Sequence, residues 1–152
     1  MMVSEKMRGP TGMKPVGFFN GKEHSRMKTN EHPQRMEIWY ANLPLRSGSS
    51  VQGGGRPVVV ISNDICNAVS TVITVAPMTR RMKKLKLPTH VVIDVPDGGQ
   101  SVVLVEQIMP MDKSLLKSRM GKVKDEDEPR IEQAVKEQLG MRSEGNEQHY
   151  YL

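Results

Sequence analysis

Gln52-Gly53-Gly54-Gly55-Arg56-Pro57-Val58-Val59-Val60-Ile61-Ser62 runs a glycine loop straight into the strongest β-branched stretch of the chain. Three consecutive glycines let the backbone come close to a ligand. Arg56 follows where the chain stiffens, and a guanidinium there offers a fixed charge and a fork of donors suited to a phosphate oxyanion. The plain alternative is a hairpin loop that carries one surface arginine.

Working outward, Thr71-Val72-Ile73-Thr74-Val75-Ala76 is a second β-branched run of buried-strand length. His90-Val91-Val92-Ile93-Asp94-Val95 and Ser101-Val102-Val103-Leu104-Val105 follow, separated by the turn Pro96-Asp97-Gly98-Gly99. Upstream, Ile38-Trp39-Tyr40-Ala41-Asn42-Leu43 reads as a short strand ended by Pro44. Five short strands with little helix between them argue against a doubly wound α/β fold. They favour a mainly β architecture, a small barrel or curled sheet.

The period changes towards the end of the chain. Leu115-Leu116 among charges predicts a short helix over 112–120, opened by Asp112 as its cap. Asp125-Glu126-Asp127-Glu128-Pro129 predicts the start of a C-terminal helix, acidic in its first turn as the helix dipole favours. Ile131, Val135 and Leu139 recur every four residues beside Ala134 and make its apolar face, and Gly140 ends it. Composition divides the chain into a basic tail over 1–35, a folded domain over 36–140 and a polar tail over 141–152. The first tail holds seven Lys and Arg against three Glu, most of the net charge of +5, and reads as flexible.

The basic excess fits an RNA or phosphate partner. A second basic feature follows the Thr71 run: Thr79-Arg80-Arg81-Met82-Lys83-Lys84-Leu85-Lys86, with Arg80, Arg81, Lys83, Lys84 and Lys86 as a candidate phosphate-binding lip. Thr79 offers a hydroxyl to the same space, and a merely solvated basic loop is the alternative. One Trp, three Tyr and two Phe are too few for a long base-stacking platform, so recognition would rest on hydrogen bonds and shape.

Other chemistries find little support. Cys66 is the single cysteine, which excludes an internal disulfide and multi-cysteine metal sites. No nucleophile elbow, Walker loop or paired-histidine metal motif occurs, so no metal or cofactor is expected. His90 reads as a cap or loop-lining residue rather than a base. No apolar run approaches the roughly 18 residues that span a bilayer, and no secretory segment opens the chain. A soluble, cytoplasmic protein without a membrane partner is the expectation.

Taken together, these segments resemble the MazF/PemK family of toxin endoribonucleases. Glu37-Ile38-Trp39-Tyr40 resembles the family's opening strand, and the block from Gln52 to Asp64 matches its most characteristic stretch. Leu87-Pro88-Thr89-His90-Val91, Val103-Leu104-Val105-Glu106-Gln107-Ile108 and Asp112-Lys113 follow in the family's order. The resemblance covers roughly residues 35 to 140. It implies an SH3-like β-barrel with small helices, a homodimer, and metal-independent cleavage of single-stranded RNA at a short sequence. The products would be 2′,3′-cyclic phosphate and 5′-hydroxyl ends. An acidic-tailed antitoxin would hold the toxin inactive, and the complex of the two would bind DNA.

Position by position, Arg56 and Thr79 match the family's catalytic arginine and threonine. The pKa of an arginine makes it a poor general base, so its part would be to stabilise charge on the phosphorane. Glu106 falls where one branch carries an acidic catalytic residue, although the arginine two positions before it there is Leu104 here. Glu106 and Gln107 are therefore secondary candidates for catalysis or RNA contact. Gln52, Gly53, Gly54, Asn63 and Asp64, with the basic residues at 80–86, are candidates for RNA binding.

This chain departs from the family pattern in three places. Its first loop, Ser50-Val51-Gln52-Gly53-Gly54-Gly55, is one residue longer, Met36 replaces a glycine, and Met109-Pro110-Met111 replaces Arg-Thr-Ile. These changes bear on the cleavage sequence more than on the activity. Two alternatives stay open from sequence: a toxin of the same fold that poisons DNA gyrase without cutting RNA, and an inactive RNA-binding relative.

Overall fold

The computed structural model describes residues 32–141. The expected flexible tail therefore lies outside the described residues, apart from its last four positions, as does nearly all of the expected polar tail. Seven strands and two helices run in the order β1 (Glu37–Leu43), β2 (Gly54–Val60), α1 (Asp64–Val69), β3 (Val72–Thr79), β4 (His90–Asp94), β5 (Gln100–Leu104), β6 (Met109–Asp112), β7 (Leu116–Lys122) and α2 (Glu128–Leu139). Single 3₁₀ turns over Val105–Gln107 and Lys113–Leu115 flank β6. Among the described residues no helix is long and apolar enough to cross a membrane.

All pairings are antiparallel, in the order β4-β5-β3-β2-β1-β7, with β6 added to β3. The sheet is open, so "barrel" describes it only loosely. Its two ends approach through side chains: Lys124, just after β7, donates to Asp94 at 2.7 Å, and Gly121 packs so closely on Pro96 that a Cβ would lie 2.6 Å from the ring. Proline has no N–H to give to a closing ladder.

Alternation along the central strands loads both faces of the sheet, as period-2 geometry requires. Val59, Ala76, Met78 and Val103 face one cluster, which Ile131 and Ala134 of α2 cover. Val58, Val60, Ile73 and Val75 face a smaller one with Leu43 and Met111. Buried Asn67 fastens α1 to the sheet: Ser62 Oγ–H donates to its Oδ1 at 2.5 Å, and its amide donates to Ser62 O at 2.8 Å.

Two expectations change. Residues 112–120 run from the last residue of β6 through a 3₁₀ turn into strand β7, not through an α-helix. β7 pairs with β1 through two register shifts, at Ile38/Trp39 and at Tyr40/Ala41. Such bulges break the alternation by which a strand is recognised. The face of α2 is Ile131, Ala134 and partly Val135, while Leu139 is 57% exposed at the helix end. β6 and α1 carried no clear signal; both are short, and α1 is set by the Asn63 cap, whose Oδ1 accepts Cys66 N–H at 2.8 Å. Gly140 does end α2, in the left-handed conformation at φ 64°.

Candidate active site

The β2–β3 ladder pairs Val60 with Val75, Val59 with Ala76 and Val58 with Pro77, and stops there. Beyond Pro77, β3 turns to β5, pairing Met78 with Val103 and Thr79 with Val102. β2 and β3 separate at this point. Continued two residues further, the register would set Arg56 against Thr79. The gap between them is a cleft of about 230 Å³ lined by both residues with Gly55, Pro57, Met78, Arg80 and Ser101.

Of the three glycines only Gly55 lines the cleft; Gly53 and Gly54 lead up to it. Gly54 has φ +77°, a conformation that L side chains rarely adopt. A Cβ on Gly53 would lie 2.6 Å from Pro44 O, and one on Gly55 would collide with the Tyr40 hydroxyl. Gly54 and Gly55 are already the first residues of β2.

Half-buried Arg56 leans back on this loop. Its Nε and Nη2 donate to Gly53 O at 3.0 and 2.8 Å, and Nη1 donates to Gln52 Oε1. Burial and the nearby charge of Arg81 push its pKa down, while Tyr40 opposes the shift. The group stays a cation in a positive neighbourhood that favours an incoming anion. Across the cleft, Thr79 Oγ1 accepts Arg81 N–H at 3.2 Å, which leaves its own O–H to donate.

The basic loop borders the same opening. Arg80 lines the cleft and pairs with Asp97 at 3.0 Å, both side chains exposed. Arg81, Lys83, Lys84 and Lys86 are exposed, and Lys84 sits at φ 54°. Gln107 does not line the cleft but holds the arginine loop: its Oε1 accepts Gln52 N–H at 2.8 Å. Glu106 is turned elsewhere, with Oε1 2.6 Å from His90 Nε2 and Oε2 buried without a partner. Asn63 caps α1, and Asp64 accepts Arg35 N–H at 2.6 Å; neither lines the cleft.

Sequence reasoning missed Ser101 as part of the cleft, while His90 does line a loop, as expected. Ser101 is buried and enters the cleft only because β3 changes partners. His90 is nearly buried and ties Glu106 to the basic loop, with Nδ1 3.3 Å from Lys83 O. A larger hollow of about 410 Å³ lies between the residues leading into β4 and α2, and includes His90 but none of the glycine loop. Among the described residues, no group of three or more His, Cys, Asp or Glu converges as a metal site.

Residues 34–139 match the family described as PemK-like, MazF-like toxins of type II toxin–antitoxin systems. The chain is 40% identical over 111 residues to endoribonuclease EndoA of Bacillus subtilis, covering 71% of this chain and 95% of that one. In fold it is similar to MazF of Deinococcus radiodurans, with a TM-score of 0.64 and 24% identity over 74% of this chain and 100% of that one. A mycobacterial endoribonuclease solved with its cognate antitoxin gives a TM-score of 0.59 and 21% identity, covering 73% and 98%.

Proposed function

This chain belongs to the PemK-like, MazF-like toxin family of type II toxin–antitoxin systems, and on that premise we propose that it is a toxin endoribonuclease that cuts single-stranded RNA in the Arg56–Thr79 cleft. The observation that carries the reading is the placing of a cation and a hydroxyl on the two walls of one small cleft. A phosphodiester between them would meet a donor from each side.

The reaction is an in-line displacement within the RNA. The 2′-hydroxyl oxygen attacks the adjacent phosphorus and gives up its proton to solvent water, the bond to the 5′-oxygen breaks, and that oxygen takes a proton from water. The products are a 2′,3′-cyclic phosphate and a 5′-hydroxyl end. Arg56 stabilises negative charge on the non-bridging oxygens as the phosphorane forms, an electrostatic role that needs no proton from the guanidinium. Thr79 orients the phosphate through its O–H. Metal ions take no part in this scheme. The exposed cations at 80–86 draw in neighbouring phosphates.

Residues 36–140 are the toxin unit of a cytoplasmic homodimer, and an antitoxin with an acidic segment is the partner that silences it. The test is cleavage of RNA in EDTA, with the new ends assayed for 5′-hydroxyl, beside a gyrase supercoiling assay. Cleavage by the wild type that Arg56→Ala slows by about 10²- to 10³-fold supports the proposal. Inhibition of supercoiling with no RNA cleavage overturns it.

A further inference from the structure

Arg56 has five N–H donors, and three of them are committed to its own loop. Gly53 O fills the Nε/Nη2 edge, and Gln52 Oε1 takes Nη1. That Nε/Nη2 edge is one that grips a phosphate with two parallel bonds. The position of residues 50–53 therefore decides where the guanidinium points.

Among the described residues, the hydrogen bonds that tie residues 50–52 to an element distant in sequence come from Gln107. Its Oε1 accepts Gln52 N–H at 2.8 Å and its Nε2–H donates to Ser50 O at 3.3 Å. Both ends of one side-chain amide are thus spent on one loop. Gln107 closes the 3₁₀ turn over Val105–Gln107, whose first residue is fully buried, so the anchor stands on a rigid base.

We propose that Gln107 is a positioning residue for Arg56. By fixing the backbone at Ser50 and Gln52 it aims the guanidinium, which exchanges Gly53 O for a substrate phosphate by a small rotation. The proposal rests on the nuclease reading above. Without the anchor, the loop and the arginine that leans on it lose their common orientation, and small misplacements of a reacting group are costly in rate.

The test compares Gln107→Leu, of similar volume, and Gln107→Glu, which keeps the acceptor for Gln52 N–H but loses the donor to Ser50. Each is made in the wild type and in Arg56→Ala. Steady-state cleavage of a short single-stranded RNA is measured beside hydrogen exchange at the Gln52 amide. Expected are a fall in kcat of about tenfold for Gln107→Leu with KM nearly unchanged, a smaller fall for Gln107→Glu, and faster exchange at Gln52. In the Arg56→Ala background neither change should lower the residual rate further. Equal losses in both backgrounds, or an unchanged kcat, overturn the proposal while the nuclease reading stands. A wild type that cuts no RNA overturns the nuclease reading and the proposal with it, whatever the exchange at Gln52 shows.

Discussion

Arg56 and Thr79 line one cleft, each two residues past Val58 and Pro77, the last pair of the β2–β3 ladder. The cleft between them exists because β3 leaves β2 for β5 at Met78. An extended β2–β3 ladder would have brought the two backbones to hydrogen-bonding distance and left no room for a phosphate. The site is thus a by-product of a change of strand partner, with the cation on one strand and the hydroxyl on the other.

Removing the cation should be the more severe change. Arg56→Ala is expected to lower kcat by about 10²- to 10³-fold, the usual cost of losing one oxyanion donor. Thr79→Ala should cost less, and Thr79→Ser, which keeps the hydroxyl, should retain most of the rate. Single-turnover cleavage of a short RNA measures all three, with circular dichroism checking the fold. A Thr79→Ser variant as slow as Thr79→Ala would show that the hydroxyl is not what acts.

The glycine loop tests the geometry itself. Gly53→Ala puts a Cβ against the Pro44 carbonyl, where backbone must give way. We expect a loss of stability of about 1–3 kcal/mol, as for other overpacked sites, together with a fall in rate because Gly53 O is the rest for Arg56. Gly48→Ala meets no neighbouring atoms but also carries positive φ; it should lose some stability and little rate. Urea unfolding and kcat measured side by side separate the two effects.

Acid should weaken the fold through Glu37. Burial would raise its pKa, but hydrogen bonds from Gln34 N–H, Trp39 and Arg119 outweigh this and hold it below the ordinary 4.5. A carboxyl depressed in the folded state gives stability that is present above the unfolded value and is lost as pH falls through the folded one. Thermal unfolding of the wild type should therefore drop below about pH 4.5. Glu37→Gln should be less stable at pH 7 by about 1–3 kcal/mol, from broken charge-assisted bonds, and should show a flatter acid limb.

The basic loop offers a shared surface. Arg80 lines the cleft and has Asp97 as a partner, whereas Lys83, Lys84 and Lys86 stand exposed further along the same loop. Reversing those three lysines to Glu should weaken RNA and the acidic antitoxin segment together, and should lessen the salt dependence of both. Fluorescence anisotropy over a salt series reads both ligands. Antitoxin affinity and salt slope that survive while RNA binding falls would place the two on different surfaces.

The central β-branched runs, the Gly140 stop and the pairing of a glycine loop with Arg56 were all legible in the sequence. Each is a local matter: side-chain branching, backbone freedom and periodicity act within a few residues. Pairing Arg56 with Thr79 rested on the family resemblance, and the cleft both line could not be located from sequence, because no local signal says where β3 abandons β2. Strand β7 was misread for a related reason, since its bulged pairing with β1 is specified by the partner strand.

What the residues at 106 and 107 do was decided by the tertiary structure alone. In sequence Glu106-Gln107 is a polar pair at a strand end and a secondary candidate for catalysis or RNA contact. Folded, the two side chains part from one 3₁₀ turn: Glu106 reaches His90, which contacts Lys83 O of the basic loop, and Gln107 reaches Ser50 and Gln52 of the arginine loop. His90 lies 16 residues from Glu106, and Gln52 and Ser50 lie 55 and 57 from Gln107 along the chain. Composition and spacing determine which groups are present and which strands they follow. Only the packing of distant segments decides which of those groups meet, because a side-chain hydrogen bond needs its partner within about 3.5 Å in space, wherever it stands in the sequence.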